Sequence, residues 1–185
     1  DAEDEVPQPA ESFIEDYNVK VFMSKENYFK KITLVSLRAS SEHKFKEGDE
    51  LAFEFDASNK MEMLFFSDMQ NVYKMRLNDI KDTKASAMGD YLPNLLGMED
   101  GEKIVYCTPA GNYEGFMLFA FTNGKIAKIE MNSYATKTNR KRLTGGYSGK
   151  APLANALCIK CICFKLCIVG CSRAHCPSAA HMVNY

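Results

Sequence analysis

A chain of 185 residues with 46% apolar and 25% charged content is long enough for one ordinary hydrophobic core. It holds no run of 18 or more apolar residues, which excludes a membrane-spanning helix. Its acidic start also lacks the basic-then-apolar pattern of a secretory signal, so a cytoplasmic location and no membrane partner are expected. The formal net charge of −1 conceals an asymmetry, because Asp1, Glu3, Asp4, Glu5, Glu11, Glu15 and Asp16 crowd the first sixteen residues without a basic partner. The remainder carries 23 basic against 17 acidic residues, a net +6 that suits a polyanionic partner better than the overall pI of 6.4 implies.

In chain order, residues 1–16 are rich in acid and proline and poor in large apolar groups, and they are expected to be a disordered linker. From Val19 onward, short apolar runs alternate with polar turns. Val21–Ile32 (VFMSKENYFKKI), Leu64–Met75 (LFFSDMQNVYKM) and Phe116–Met131 (FMLFAFTNGKIAKIEM) each present an apolar strand, a polar turn and a second strand bearing lysine. Asn123-Gly124 predicts a two-residue hairpin turn with φ > 0 at both positions. Aligning the three units places Lys30, Lys74 and Lys128 in register, 44 and 54 residues apart. The two-residue period of a strand then pairs Tyr28 with Lys30, Val72 with Lys74 and Ile126 with Lys128 on corresponding faces.

Between these units, Leu51–Phe55 alternates as a further strand, Lys103–Cys107 reads as another, and Pro93 and Gly97 exclude a long helix in DYLPNLLGMEDGE. Hairpin repeats of this length point to an all-β, propeller-like array, although a β-sandwich would give the same alternation. His43, alone in the charged stretch SSEHKFKEGDE, reads as a solvated side chain, and Gly145-Gly146 as a turn. No catalytic constellation, phosphate-binding glycine motif or cofactor site emerges.

These segments, together with DTKASAMGDYLPNLLGMEDGEKIVY and YATKTNRKRL, resemble the C-terminal domain of bacterial gyrase and topoisomerase IV A subunits over residues ~14–153. The resemblance implies a β-pinwheel whose blades exchange strands, here incomplete with about three blades in residues 17–153. It further implies sequence-tolerant binding and bending of double-stranded DNA. The implied partners are the ATPase B subunit of a type IIA topoisomerase together with the remainder of its A subunit. The parent would be an ATP-dependent isomerase working in the cytoplasm on the chromosome, while the fragment itself would be no enzyme: none of its nine tyrosines matches the family's DNA-cleaving residue. The gyrase wrapping loop has no good counterpart, the nearest being Thr138–Gly146 (TNRKRLTGG).

DNA wrapping needs cations spaced along a surface, since phosphates recur regularly and no base must be read. The repeat-linked candidates are Lys30, Lys31, Lys74, Arg76, Lys125 and Lys128, and the densest basic run contributes Lys137, Arg140, Lys141 and Arg142. The alternative from the repeat pattern is a propeller fragment that binds a protein or peptide at a face or edge. The tail, residues 154–185, concentrates six of the seven cysteines. Cys158, Cys161, Cys163 and Cys167 could ligate zinc, could line a buried strand, or could belong to sequence without a function of its own.

Overall fold

The structure is a computed structural model and describes residues 14–40, 42–136 and 141–159. It is nearly all β. Asn18–Ser24 (β1) and Tyr28–Thr33 (β2) form the first hairpin, followed by a short helix, Leu34–Ala39 (α1), and by β3, Leu51–Ser58. Glu62–Ser67 (β4) and Val72–Arg76 (β5) form the second hairpin. After it come β6 (Asp90–Tyr91), a second short helix α2 (Leu92–Leu96) and β7 (Ile104–Pro109). Phe116–Phe121 (β8) and Ile126–Glu130 (β9) form the third hairpin, and β10 (Arg142–Leu143) and β11 (Leu153–Ile159) complete the set.

Pairing follows one rule. The first strand of each hairpin joins the next long strand, giving β1–β3, β4–β7 and β8–β11. The second strand joins a two-residue strand that returns only after the following hairpin has been laid down, giving β2–β6 and β5–β10. The result is three antiparallel sheets in the orders β3-β1-β2-β6, β10-β5-β4-β7 and β11-β8-β9. In the third, nothing among the described residues pairs with the outer edge of β9.

The sheets stack in series. Val19, Val21, Met23 and Phe29 of the first meet Met63, Phe65, Tyr73 and Met75 of the second in one core. Leu64, Phe66 and Val72 on the second sheet's other face meet Met117 and Phe119 of the third in another. Both faces of the middle sheet are therefore dry. The chain after β10 closes on the second hairpin, where Gly146 sits so near Val72 that a Cβ would lie 2.1 Å from its Cγ2. The third sheet continues to Ile159, six residues past the boundary expected at 153, because β11 supplies β8 with its second neighbour.

All three hairpins turn in the same way, but not by the two-residue turn expected at Asn123-Gly124. The N–H groups of Asn27, Gln70 and Gly124 donate to the carbonyls of Ser24, Ser67 and Phe121, and the three residues have φ of 64°, 65° and 76°. Only the last residue of each three-residue loop is left-handed, the geometry of a type I turn closed by a bulge. These positions fix the repeat alignment. Counted from them, the equivalent lysines are Lys31, Lys74 and Lys128, opposite Val21, Leu64 and Leu118. Lys30 is one residue out of step and lies on the opposite face of its sheet, as a single-residue slip requires.

His43 is not solvated. Its ring lies 4.3 Å from that of Phe22, half-buried, with an unpaired Nδ1. Burial, reinforced by the nearby Lys30 charge and opposed by Glu54, lowers its pKa below the ordinary value of 6.5. A histidine with a depressed native pKa is protonated more readily in the unfolded chain, so stability falls as pH drops below about 6.5. Urea unfolding between pH 7.5 and 5.5 should show this loss, at up to about 1.4 kcal/mol per pH unit, and His43→Gln should flatten it.

Candidate nucleic-acid interface

The ten basic candidates divide by burial. Lys30, Lys31 and Lys74 are only 2%, 2% and 6% exposed, which removes them from any surface that DNA can reach and corrects the expectation for all three. Their ammonium groups serve the interior. Lys30 Nζ donates to the carbonyls of Lys44 (2.6 Å) and Ala85 (3.0 Å), 4.9 Å from the ring centre of Phe45. Lys31 Nζ donates to Asn59 Oδ1 (2.8 Å) and the Leu77 carbonyl (2.9 Å), and pairs with Asp82 at 3.0 Å. Lys74 Nζ donates to the Tyr134 carbonyl (3.1 Å) and Thr136 Oγ1 (3.2 Å), with Glu62 at 3.4 Å.

The equivalence of Lys31 and Lys74 is thus chemical as well as positional. Each ties its hairpin to the short helical turn that follows the next hairpin, Leu77–Asp79 in one case and Met131–Tyr134 in the other. A buried ammonium is tolerable because carbonyl dipoles and a carboxylate replace its water. Lys128 is the third member. No later hairpin caps it among the described residues, so it is exposed, with Nζ 3.8 Å from the ring centre of Phe116.

Arg76, Lys125 and Lys141 are likewise exposed. Arg142 is partly exposed. Its guanidinium pairs with Glu99 and lies 5.8 Å from the ring centre of Tyr73, and that pairing raises its already high pKa further. Lys137 and Arg140 lie outside the described residues. A surface cation at a repeat position, Lys84, escaped the sequence reading. Thr83-Lys84 matches Thr136-Lys137: the Thr83 N–H and hydroxyl both donate to the Lys31 carbonyl, while Thr136 accepts from Lys74. Lys84 is exposed at the position that Lys137 occupies in the next unit, and the repeated Thr-Lys pair was the available signal.

Of the four cysteines considered for zinc, only Cys158 is described. It stands in β11, its backbone N–H donating to Tyr106 Oη at 3.1 Å; Cys161, Cys163 and Cys167 lie outside the described residues. No group of three or more metal-ligating side chains occurs among the described residues. No helix there is long and apolar enough to cross a membrane.

Hairpin sheets stacked in series, the first two each completed by a strand delivered from beyond the next hairpin, define a β-pinwheel. Solved structures of that kind superpose on this chain: the C-terminal domain of DNA topoisomerase IV with a TM-score of 0.70 and 23% identity, covering 80% of this chain and 47% of that one, and the Escherichia coli ParC C-terminal domain with a TM-score of 0.60 and 14% identity, covering 78% and 57%. In sequence, the chain is 24% identical over 144 residues to the A subunit of Bacillus subtilis DNA topoisomerase 4, and 24% identical over 138 residues to the A subunit of Thermotoga maritima DNA gyrase. These matches take in 76% and 71% of this chain, which spans only 18% and 17% of those relatives' length. No protein-family model matches it.

Proposed function

We propose that this chain binds and bends duplex DNA without sequence preference, as the accessory C-terminal domain of the A subunit of a cytoplasmic type IIA topoisomerase. Its partners would be an ATPase B subunit together with the rest of the A subunit, which between them would supply strand cleavage and ATP hydrolysis. The observation that carries the reading is the pinwheel architecture, which it has in common with the C-terminal domain of topoisomerase IV. The surface chemistry is compatible with it. Arg76, Lys125, Lys128 and Lys141 stand exposed, and Arg142 is partly so. Lys84 extends the set, and Lys137 and Arg140 adjoin Lys141 in sequence. Flexible ammonium groups of this kind suit phosphates, which require charge and spacing rather than base-edge geometry.

Mobility shift on a ~40-bp duplex tests the reading. With about five phosphate contacts, log affinity should fall with log salt at a slope of about −4 to −5. The triple variant Arg140→Ala, Lys141→Ala, Arg142→Ala should bind unrelated sequences about tenfold or more weakly, and its slope should be shallower by about 2 to 3. Absence of binding at low salt would overturn the function, and unchanged affinity of the triple variant would overturn the assignment of that loop.

A further inference from the structure

Arg142, one of the proposed DNA contacts, already has an anionic partner on the protein. Its guanidinium Nη2 pairs with Glu99 Oε1 across 43 residues of sequence. Backbone places both ends of this pair. Arg142 is carried by β10, where it stands opposite Tyr73 of β5. Glu99 sits in a closed turn, its carbonyl accepting from the Glu102 N–H (3.1 Å) and its own N–H donating to Glu102 Oε2 (3.1 Å). The guanidinium is also backed by the Tyr73 ring, 5.8 Å from its centre, and the Tyr73 hydroxyl is bound to Glu102 Oε2 at 2.6 Å. One buried carboxylate thus fixes both the turn that presents Glu99 and the ring that supports Arg142. The pair itself faces solvent, with side chains 36% and 56% exposed. An ion pair so placed is held weakly, and a phosphate brought alongside competes for the same donors. Lys141, exposed next to it, draws that phosphate close.

We propose that Glu99 is a positioning residue that holds Arg142 in reserve, so that duplex DNA recruits the arginine only by displacing the Glu99 carboxylate with a phosphate. The inference rests on the DNA-binding reading above and adds an internal brake to it. An arginine–phosphate pair, bidentate where geometry allows, replaces the arginine–carboxylate one. Because the Glu99 backbone is anchored at Glu102, only its side chain has to swing away, and neither the turn nor the hairpin is disturbed. The displaced carboxylate stays beside the phosphates and repels them. Glu99 therefore lowers affinity in two ways, and Arg142 adds less to the salt dependence than an unpaired cation would.

Mobility shift of the full chain on the ~40-bp duplex, repeated over a range of salt concentrations, tests it. Glu99→Gln should tighten binding about threefold or more and steepen the salt slope by about 1. Asp100→Asn removes the same charge from the neighbouring exposed position while sparing the pair, and should change affinity by less than about twofold. In an Arg142→Ala background, Glu99→Gln should have almost no effect, because no arginine is left to free. Circular dichroism checks that each variant is folded, as these exposed side chains permit. The inference is overturned if Glu99→Gln binds no tighter than the parent, if Asp100→Asn matches its gain, or if that gain persists without Arg142. A parent chain that binds the duplex while Glu99→Gln is inert removes the inference alone. A parent chain that does not bind at low salt removes the DNA-binding reading and the inference with it.

Discussion

Replacing Glu102 with alanine should cost about 3–5 kcal/mol of folding stability, because buried donors would lose a charged acceptor. Glu102 is 3% exposed, yet its carboxylate is fully engaged. Oε1 accepts from the Ser67 hydroxyl and from Asn71 Nδ2 at 2.8 Å, and Oε2 from Tyr73 Oη at 2.6 Å and the Glu99 N–H at 3.1 Å. Burial alone would raise its pKa, but the bonds from Ser67, Tyr73, Asn71 and Glu99 prevail and hold it below the ordinary carboxylate value. Truncation strands three donors of the second hairpin, Ser67, Asn71 and Tyr73, in a dry interior. Urea unfolding at neutral pH measures the loss, and a change below about 1 kcal/mol would show that the network is not a unit. The sign of the pH effect follows. A depressed native pKa gives stability that is present above about pH 4.3 and lost as pH falls through the native value. That window lies below the one assigned to His43, so the two contributions separate in a pH series.

The second large effect is expected at Lys74. Lys74→Met should destabilise the fold by about 2–4 kcal/mol, because the Tyr134 carbonyl, Thr136 Oγ1 and Glu62 would lose their buried donor. It should leave the salt slope of DNA binding unchanged under conditions where the protein remains folded. Lys128→Ala should do the reverse, altering stability by no more than about 0.5 kcal/mol while reducing the salt slope by about 1. A Lys74 variant that is stable but binds with a shallower slope would return Lys74 to the DNA-facing set. The contrast is informative because the two residues hold the same position in successive units, and what differs between them is whether a later segment covers them.

That difference also marks how far the sequence could be read. The hairpins were legible because apolar and polar residues alternate in Val21–Ile32, Leu64–Met75 and Phe116–Met131, and because short turns punctuate them. The brevity of α2 was legible from Pro93 and Gly97. The fate of the lysines was not. Period-two alternation shows which residues share a face, but it does not say whether that face meets water or the next sheet, and the middle sheet is covered on both. The doubled Lys30-Lys31 offered two alignments, and only the left-handed residues Asn27, Gln70 and Gly124 decide between them. Neither Asn nor Gln announces such a turn as glycine does. The Glu102 network joins residues about thirty positions apart and leaves no local trace, and Lys84 was passed over for want of the register that reveals its repeat.

The late arrival of each closing strand has a consequence for how the molecule assembles. The first sheet lacks its fourth strand until Asp90–Tyr91 is in place, and by then the chain has already passed through the second hairpin; the second sheet waits in the same way for Arg142–Leu143. Neither of the first two sheets can therefore finish before its successor has begun. Neighbouring units are latched by backbone that belongs to both, rather than merely pressed together, so they form and melt jointly where simple stacked repeats could fray one at a time. Contacts spanning some sixty residues must close before either unit is secure, which makes folding slow for a chain of this size and tightly cooperative once under way.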